Sequence, residues 1–204
     1  MEKEKSIRKP KQVRSIHTKE KILDTALQLF CEKGYYKTTT NQIAEKAQIS
    51  IGSLYSYFKD KDTIFLEILG RYNQLFLKVH AAWAEDKERL KADKKEWLRQ
   101  LITGMIKVHE VTKELNREIK ILCFTKPEVA EILEKQRIKT KEQTREYFRL
   151  FKDEIKVEDV EAAAIVMFDL ISSIVDRIVF KKNDIDPERI LNAGLDAVYK
   201  YLMG

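Results

Sequence analysis

Between Thr39 and Phe58 the chain gathers short hydroxyl, amide and aromatic side chains: Thr39, Thr40, Asn41, Ser50, Ile51, Gly52, Ser53, Tyr55 and Tyr57, with Lys61 close behind. Residues of these types suit recognition. Hydroxyls and lysine meet phosphate oxygens, amides meet base edges, and apolar groups meet thymine methyls. Catalytic signatures are missing: there is no HExxH, no glycine-rich phosphate loop and no nucleophile elbow. His17, His80 and His109 are not grouped, and Cys31 and Cys123 lack metal-ligand spacing, so packed thiols are the default. Paired carboxylates are frequent only because the helix surfaces are charged. The expectation is a non-enzyme with no cofactor and no metal.

Those side chains need helices to hold them. Thr39 with Gln42 three residues on reads as a capping box, opening a helix that buries Ile43, Ala44 and Ala47. A short turn, Gln48-Ile49-Ser50, follows, with Ser50 capping a helix over 51–58 whose Leu54 and Phe58 face inward. Two short helices joined by so short a turn, the first with small residues, suit a helix-turn-helix. Upstream, Thr18 is the expected cap of a helix carrying Ile22, Leu23, Ala26, Leu27 and Phe30, which Gly34 stops. Downstream, Asp60 caps a longer helix with Ile64, Phe65, Ile68, Leu69, Tyr72 and Phe76, with Gly70 a candidate flex point.

The run from Gly34 to Ile68, GYYKTTTNQIAEKAQISIGSLYSYFKDKDTIFLEI, resembles the DNA-binding head of TetR/AcrR-type transcriptional regulators. It carries Gly34, Tyr35, Thr38, Thr39, Ile43, Ala44, Ala47, Ile49, Ser50, Gly52, Ser53, Leu54, Tyr55, Tyr57, Phe58 and Lys61 at that family's spacing. It departs at Gln48, where the family usually has glycine, and at Ile64, usually leucine. The resemblance implies that Tyr55 and Lys61 contact phosphates, Thr39 and Thr40 touch the DNA backbone, and Asn41, Ile51, Gly52 and Ser53 lie nearest base edges. From the residues alone, Tyr55 and Lys61 are the contacts best supported, with a core-edge tyrosine and a solvated lysine as the alternatives.

The expected fold is all-α, with about nine helices: a three-helix head and a larger helical ligand-binding and dimerisation body. Expected boundaries are a flexible basic arm over 1–16, the DNA-binding domain over 17–62 and the body over 63–204. The arm's Arg8, Lys9, Lys11 and Arg14 either enter a minor groove or belong to an unstructured tail. Residues 158–181 form a very apolar helix rich in small residues, and Asp186-Pro187 opens a last one bearing Gly194 and Ala197. In the resembled family this pair forms a two-fold four-helix interface, so a homodimer through about 158–203 is implied; the alternative is plain core. Candidate liners of a ligand pocket are Phe65, Leu69, Tyr72, Phe76, Trp97, Ile102, Met105, His109, Phe124 and Phe168, all of which also suit a helical core. Trp83, Cys123, Met167 and Ile171 belong to the same group.

The charge is unevenly placed. Residues 1–62 hold thirteen Lys/Arg against eight Asp/Glu, while 63–204 hold twenty-six against twenty-five, within a net charge of +6. The surplus sits on the head, where a polyanion gains by counterion release. Residues 1–20 lack the apolar stretch of a signal peptide, and Asp169, Asp176 and Arg177 break the most apolar run, so a cytoplasmic protein with no membrane partner is expected. The function expected is a ligand-responsive regulator, most simply a repressor. It would bind a palindromic operator as a dimer and leave when an apolar or amphipathic effector enters the body. An activator with the same head and a helical interaction protein are the alternatives.

Overall fold

Most helix starts fall where a short side-chain oxygen takes up an orphan backbone N–H. Asp60 Oδ1 accepts from the Thr63 N–H at 2.8 Å, Asp93 from Glu96 at 2.9 Å, Asp159 from Ala162 at 3.0 Å and Asp186 from Glu188 at 2.7 Å. In the last case Pro187 is the first helical residue, where its missing N–H costs nothing. The computed structural model describes residues 13–85 and 92–204. Among these the elements are α1 (Val13–Lys33), α2 (Thr40–Lys46), α3 (Ile51–Tyr57), α4 (Lys61–Glu85), α5 (Lys94–Val111), α6 (Lys113–Thr125), α7 (Pro127–Leu150), a 3-10 turn (Lys152–Glu154), α8 (Val160–Phe180) and α9 (Pro187–Met203), with no strand. The fold is all-α, as the sequence periodicity predicts.

One expectation about the start of the chain is corrected. Thr18 is not a cap: α1 begins by Val13, and the Thr18 hydroxyl donates to the Arg14 carbonyl at 3.0 Å, one turn back within the helix. Residues 13–16, read as part of the arm, are therefore helical, and the remainder, with Arg8, Lys9 and Lys11, lies outside the described residues.

The chain divides into two compact units whose membership does not follow chain order. One takes residues up to Gln74 together with Glu114–Val129; the other takes Leu75–Lys113 with Ala130–Gly204. In the first, α2 packs on both α1 and α3, and Phe30, Tyr35 and Phe65 form a cluster with centroids 5.4–5.7 Å apart. In the second, α5, α8 and α9 pack mutually around Leu98, Ile102, Met167, Val175, Leu195 and Val198. The approach of α9 to α8 is close at Gly194: a Cβ there would stand 2.6 Å from Ile174 Cδ1, so the Ile174 side chain would have to shift. Each of these two helices also keeps an exposed strip of small or apolar residues, Ala162, Val166 and Ser173 on α8 and Ala193, Ala197 and Tyr201 on α9. Among the described residues no helix is long and apolar enough to cross a membrane.

Candidate nucleic-acid interface and interior cavity

The α2–turn–α3 geometry is set by local hydrogen bonds. The Thr39 hydroxyl accepts from the Gln42 N–H at 3.2 Å while Gln42 Oε1 accepts from the Thr39 N–H at 3.0 Å, a complete capping box. At the other end of α2, the Ile49 N–H reaches the Ala44 carbonyl at 3.0 Å and the Gln48 N–H reaches that of Glu45 at 2.9 Å. This is a Schellman closure, and it puts Gln48 in the left-handed region with φ 52°. Ser50 then caps α3 by accepting from the Ser53 N–H at 3.1 Å. A left-handed backbone costs a non-glycine residue about 1 kcal/mol, so Gln48→Gly is expected to raise unfolding stability by about that amount, read by urea titration.

With Ile43, Ala44, Ala47, Leu54 and Phe58 buried, the outward surface is fixed by subtraction. Thr39, Asn41, Ser50, Ile51, Gly52 and Tyr55 are exposed, and Thr40 and Ser53 are half-buried. The Tyr55 and Thr40 hydroxyls lie 3.0 Å apart, joining the two helices by a polar pair at the surface. Gly52 is the informative position. It sits in α3 with nothing within 4 Å of where a Cβ would be. Glycine in a helix costs roughly 0.5–1 kcal/mol against alanine. Nothing among the described residues rewards that cost; a partner whose surface approaches the α3 backbone would.

Two expected contacts are placed differently. Tyr57 is half-buried and its hydroxyl pairs with Ser15 of α1 at 3.1 Å, so it does not join the outward set. Lys61 turns inward: Nζ donates to the carbonyls of Tyr35 and Thr38, each at 2.8 Å, and lies 4.1 Å from the Tyr35 ring centroid. Burial, with Lys126 nearby, pushes its ammonium below the ordinary lysine value. Lys61 is thus a clamp on the turn between α1 and α2.

Within this unit α6 grips the same region, which the sequence did not signal. Glu118 accepts from the Tyr35 N–H at 2.7 Å, Thr125 Oγ1 accepts from the Tyr36 hydroxyl at 2.6 Å, and Asn116 accepts from the Tyr72 hydroxyl at 2.8 Å. Lys126, just beyond α6, pairs with Asp62 at 2.8 Å. Burial raises the Glu118 carboxyl above its ordinary range, Arg117 opposes the shift and Glu114 adds to it.

The second unit holds a cavity of about 320 Å³. Of the expected liners, Trp97, Met105, His109 and Phe168 do line it, as do Met167 and Ile171. Phe65, Leu69 and Tyr72 are instead core residues of the first unit, and Ile102 is fully buried in the core of the second. Phe124 is 92% exposed and absent from the lining, and Cys123 of the first unit is half-buried and also absent from it. The side chains of Phe76 and Trp83 lie outside the described residues. What the sequence reading missed is the face of α7, with Leu133, Thr140, Thr144, Tyr147 and Phe148 on the lining. Their three- and four-residue spacing is the signal that was available.

Comparison with known proteins bears on both units. Residues 22–68 match the profile of bacterial regulatory proteins of the tetR family, and residues 75–202 match the tetracyclin repressor-like C-terminal domain. The chain belongs to the TetR family. Its TetR-family relatives include the HTH-type transcriptional regulator QacR of Staphylococcus aureus, 46% identical over 54 residues, which are 26% of this chain and 29% of QacR. The chain thus spans under a third of that relative's length in the alignment. Among solved structures, SmeT in complex with triclosan superposes with a TM-score of 0.72 at 18% identity, covering 92% of each chain. A Saccharomonospora viridis protein in complex with choline gives 0.69 at 16% identity, covering 91% of this chain and 97% of that one. At these identities the likeness is one of fold, and the TetR-family architecture is shared over nearly the whole chain.

Proposed function

We propose that the chain is a repressor that binds a palindromic DNA operator as a two-fold homodimer in the cytoplasm and is released by a small-molecule effector held in the α5–α9 cavity. The observation that carries the reading is exposed Gly52, a helical glycine with no neighbour at its Cβ position among the described residues, beside the outward Thr40–Tyr55 pair. In this reading α3 enters the major groove. The α3 backbone at Gly52 comes close to the duplex, Ile51 meets a thymine methyl, and Asn41 and Ser53 lie nearest base edges. Thr39, Thr40, Ser50 and Tyr55 serve phosphates. The exposed strips on α8 and α9 supply the homodimer contact. Ligand complexes of SmeT and of the S. viridis protein support a cavity that takes effectors.

Release is a shift of population between a DNA-matching and a non-matching state. The chain path suits this, because α4 begins in the unit that carries α3 and continues past Gln74 into the unit that holds the cavity. Gly70 lies within the unbroken α4, and no described residue stands within 4 Å of its Cβ position.

The test is fluorescence anisotropy with a duplex from the region upstream of the chain's own gene, at two salt concentrations. Affinity is expected to fall steeply with salt. Tyr55→Phe, which removes one hydroxyl and keeps the ring, is expected to lower affinity by about five- to tenfold. Absence of binding at low salt would remove the reading.

A further inference from the structure

The recognition stretch is short of charge. From Thr39 to Phe58 it holds one lysine, one glutamate and no arginine. Arginine and lysine make the commonest specific contact in a major groove, donation to guanine O6 and N7. The lysine of this stretch, Lys46, is directed back to α1, where its Nζ pairs with Glu32 at 3.1 Å. Lys61, just beyond, is held by the Tyr35 and Thr38 carbonyls. A carboxylate can accept from the cytosine amino group, and Glu45 is exposed. It stands on α2, however, which in the docking proposed above crosses the phosphate backbone, where like charge repels it.

What α3 offers outward is apolar. Ile51 and Tyr55, four residues apart and so on one side of the helix, are 37% and 45% exposed. The Tyr55 hydroxyl is engaged with Thr40 at 3.0 Å. Gly52, next to Ile51, adds no side chain and has no described residue within 4 Å of its Cβ position, so a surface can come close enough for Ile51 to touch it. Among base edges in the major groove, the apolar feature is the thymine 5-methyl group.

The amides favour the same kind of pair. Asn41 is exposed, and an asparagine amide matches the N6 donor and N7 acceptor of adenine. Gln42 is occupied in the capping box, where its Oε1 accepts from the Thr39 N–H at 3.0 Å. Gln48, exposed in the turn, is again of the adenine-matching type. Ser50 and Ser53 carry hydroxyls, which suit either kind of pair and do not discriminate.

We propose that α2 and α3 specify A·T pairs: the Ile51 side chain rests on the 5-methyl group of a thymine, the Asn41 amide pairs with an adenine, and this surface selects neither guanine nor cytosine. The proposal rests on the reading of the chain as an operator-binding dimer and names the bases that the operator must present.

The test starts from the duplex that the full chain selects out of a random pool. It is resynthesised with one base analogue at a time, placed in both half-sites, and its affinity is measured by anisotropy. Deoxyuridine for thymidine removes only the methyl group, and 7-deazaadenine for adenine removes only the N7 acceptor. At one thymine position uracil is expected to lower affinity about tenfold, the effect of a methyl group lost in each half-site. At one adenine position 7-deazaadenine is expected to cost about five- to tenfold. Ile51→Ala is expected to bind the thymine and uracil duplexes equally, and Ile51→Val to keep the preference. Asn41→Ala is expected to lose only the response to 7-deazaadenine. Half-sites whose most strictly required positions are G·C, indifference to uracil at every thymine, or a uracil response that persists in Ile51→Ala overturns the proposal. So does a cytosine requirement that disappears in Glu45→Gln, which would give the reading to that carboxylate. Each of these results leaves operator binding itself standing. Failure of the chain to bind any duplex at low salt removes the operator reading, and this proposal with it.

Discussion

Gly52→Glu is expected to leave the fold intact, raise its thermal stability slightly and abolish operator binding. The two effects separate because no described residue stands within 4 Å of a Cβ at Gly52: a side chain there enters open space. Replacing a helical glycine stabilises by roughly 0.5–1 kcal/mol, and a carboxylate in the first turn of α3 gains a few tenths more from the helix dipole. In the proposed docking the same carboxylate stands where the α3 backbone enters the major groove, displacing it and adding repulsion from the duplex. The expected loss is at least about 100-fold in operator affinity, or roughly 2.8 kcal/mol at 1.4 kcal/mol per decade. Thermal unfolding and anisotropy on the same preparation check it. A melting point that falls together with the affinity would mean that the glycine serves the fold, and the argument from its exposure would be lost.

With the proposed two-fold homodimer, Ala197→Glu is expected to give a monomer without unfolding the chain. Ala197 is on the exposed side of α9, opposite the buried stripe of Leu191, Leu195, Val198 and Leu202, so the substitution costs the isolated chain little. In a two-fold interface the new carboxylate occurs twice on a surface of alanines, where it is desolvated without a partner. Loss of dimerisation removes the second half-site, and operator affinity is expected to drop by about 100-fold or more. Light scattering gives the mass, circular dichroism the helix content and anisotropy the affinity. A dimer of unchanged strength would move the interface off this strip.

How much of this was legible in the sequence follows the range of the interactions. The capping box at Thr39 and Gln42, the Ser50 cap and the left-handed position at Gln48 involve residues within six of one another, and all were readable. The same logic failed at Thr18, because α1 extends past it to Val13 and nothing in the local pattern stops it. The clamp made by Lys61 was not readable because the two carbonyls it holds are 26 and 23 residues away. Glu118, whose partner is 83 residues away, went unnoticed for the same reason. Aromatic and methionine content does not distinguish a cavity wall from a core. Tyr72 and Trp97 look alike as sequence, yet one hydroxyl meets Asn116 and the other ring's N–H meets no acceptor in the described chain. Large apolar residues on α4 and α5 therefore suggested a pocket partly in the wrong unit, while the α7 face, diluted by threonines, was passed over.

The central claim is that α2, the Gln48 turn and α3, presented twice by a two-fold dimer, read a DNA sequence. The most direct measurement is selection of binding sites by the full chain from a pool of random duplexes, followed by sequencing. The account predicts enrichment of an inverted repeat whose half-site centres are one helical turn apart, about 34–36 Å, or a multiple of it, with enrichment lost for Gly52→Glu. Recovery of no sequence over repeated rounds at low salt, or of a site bound equally by Gly52→Glu, would contradict it.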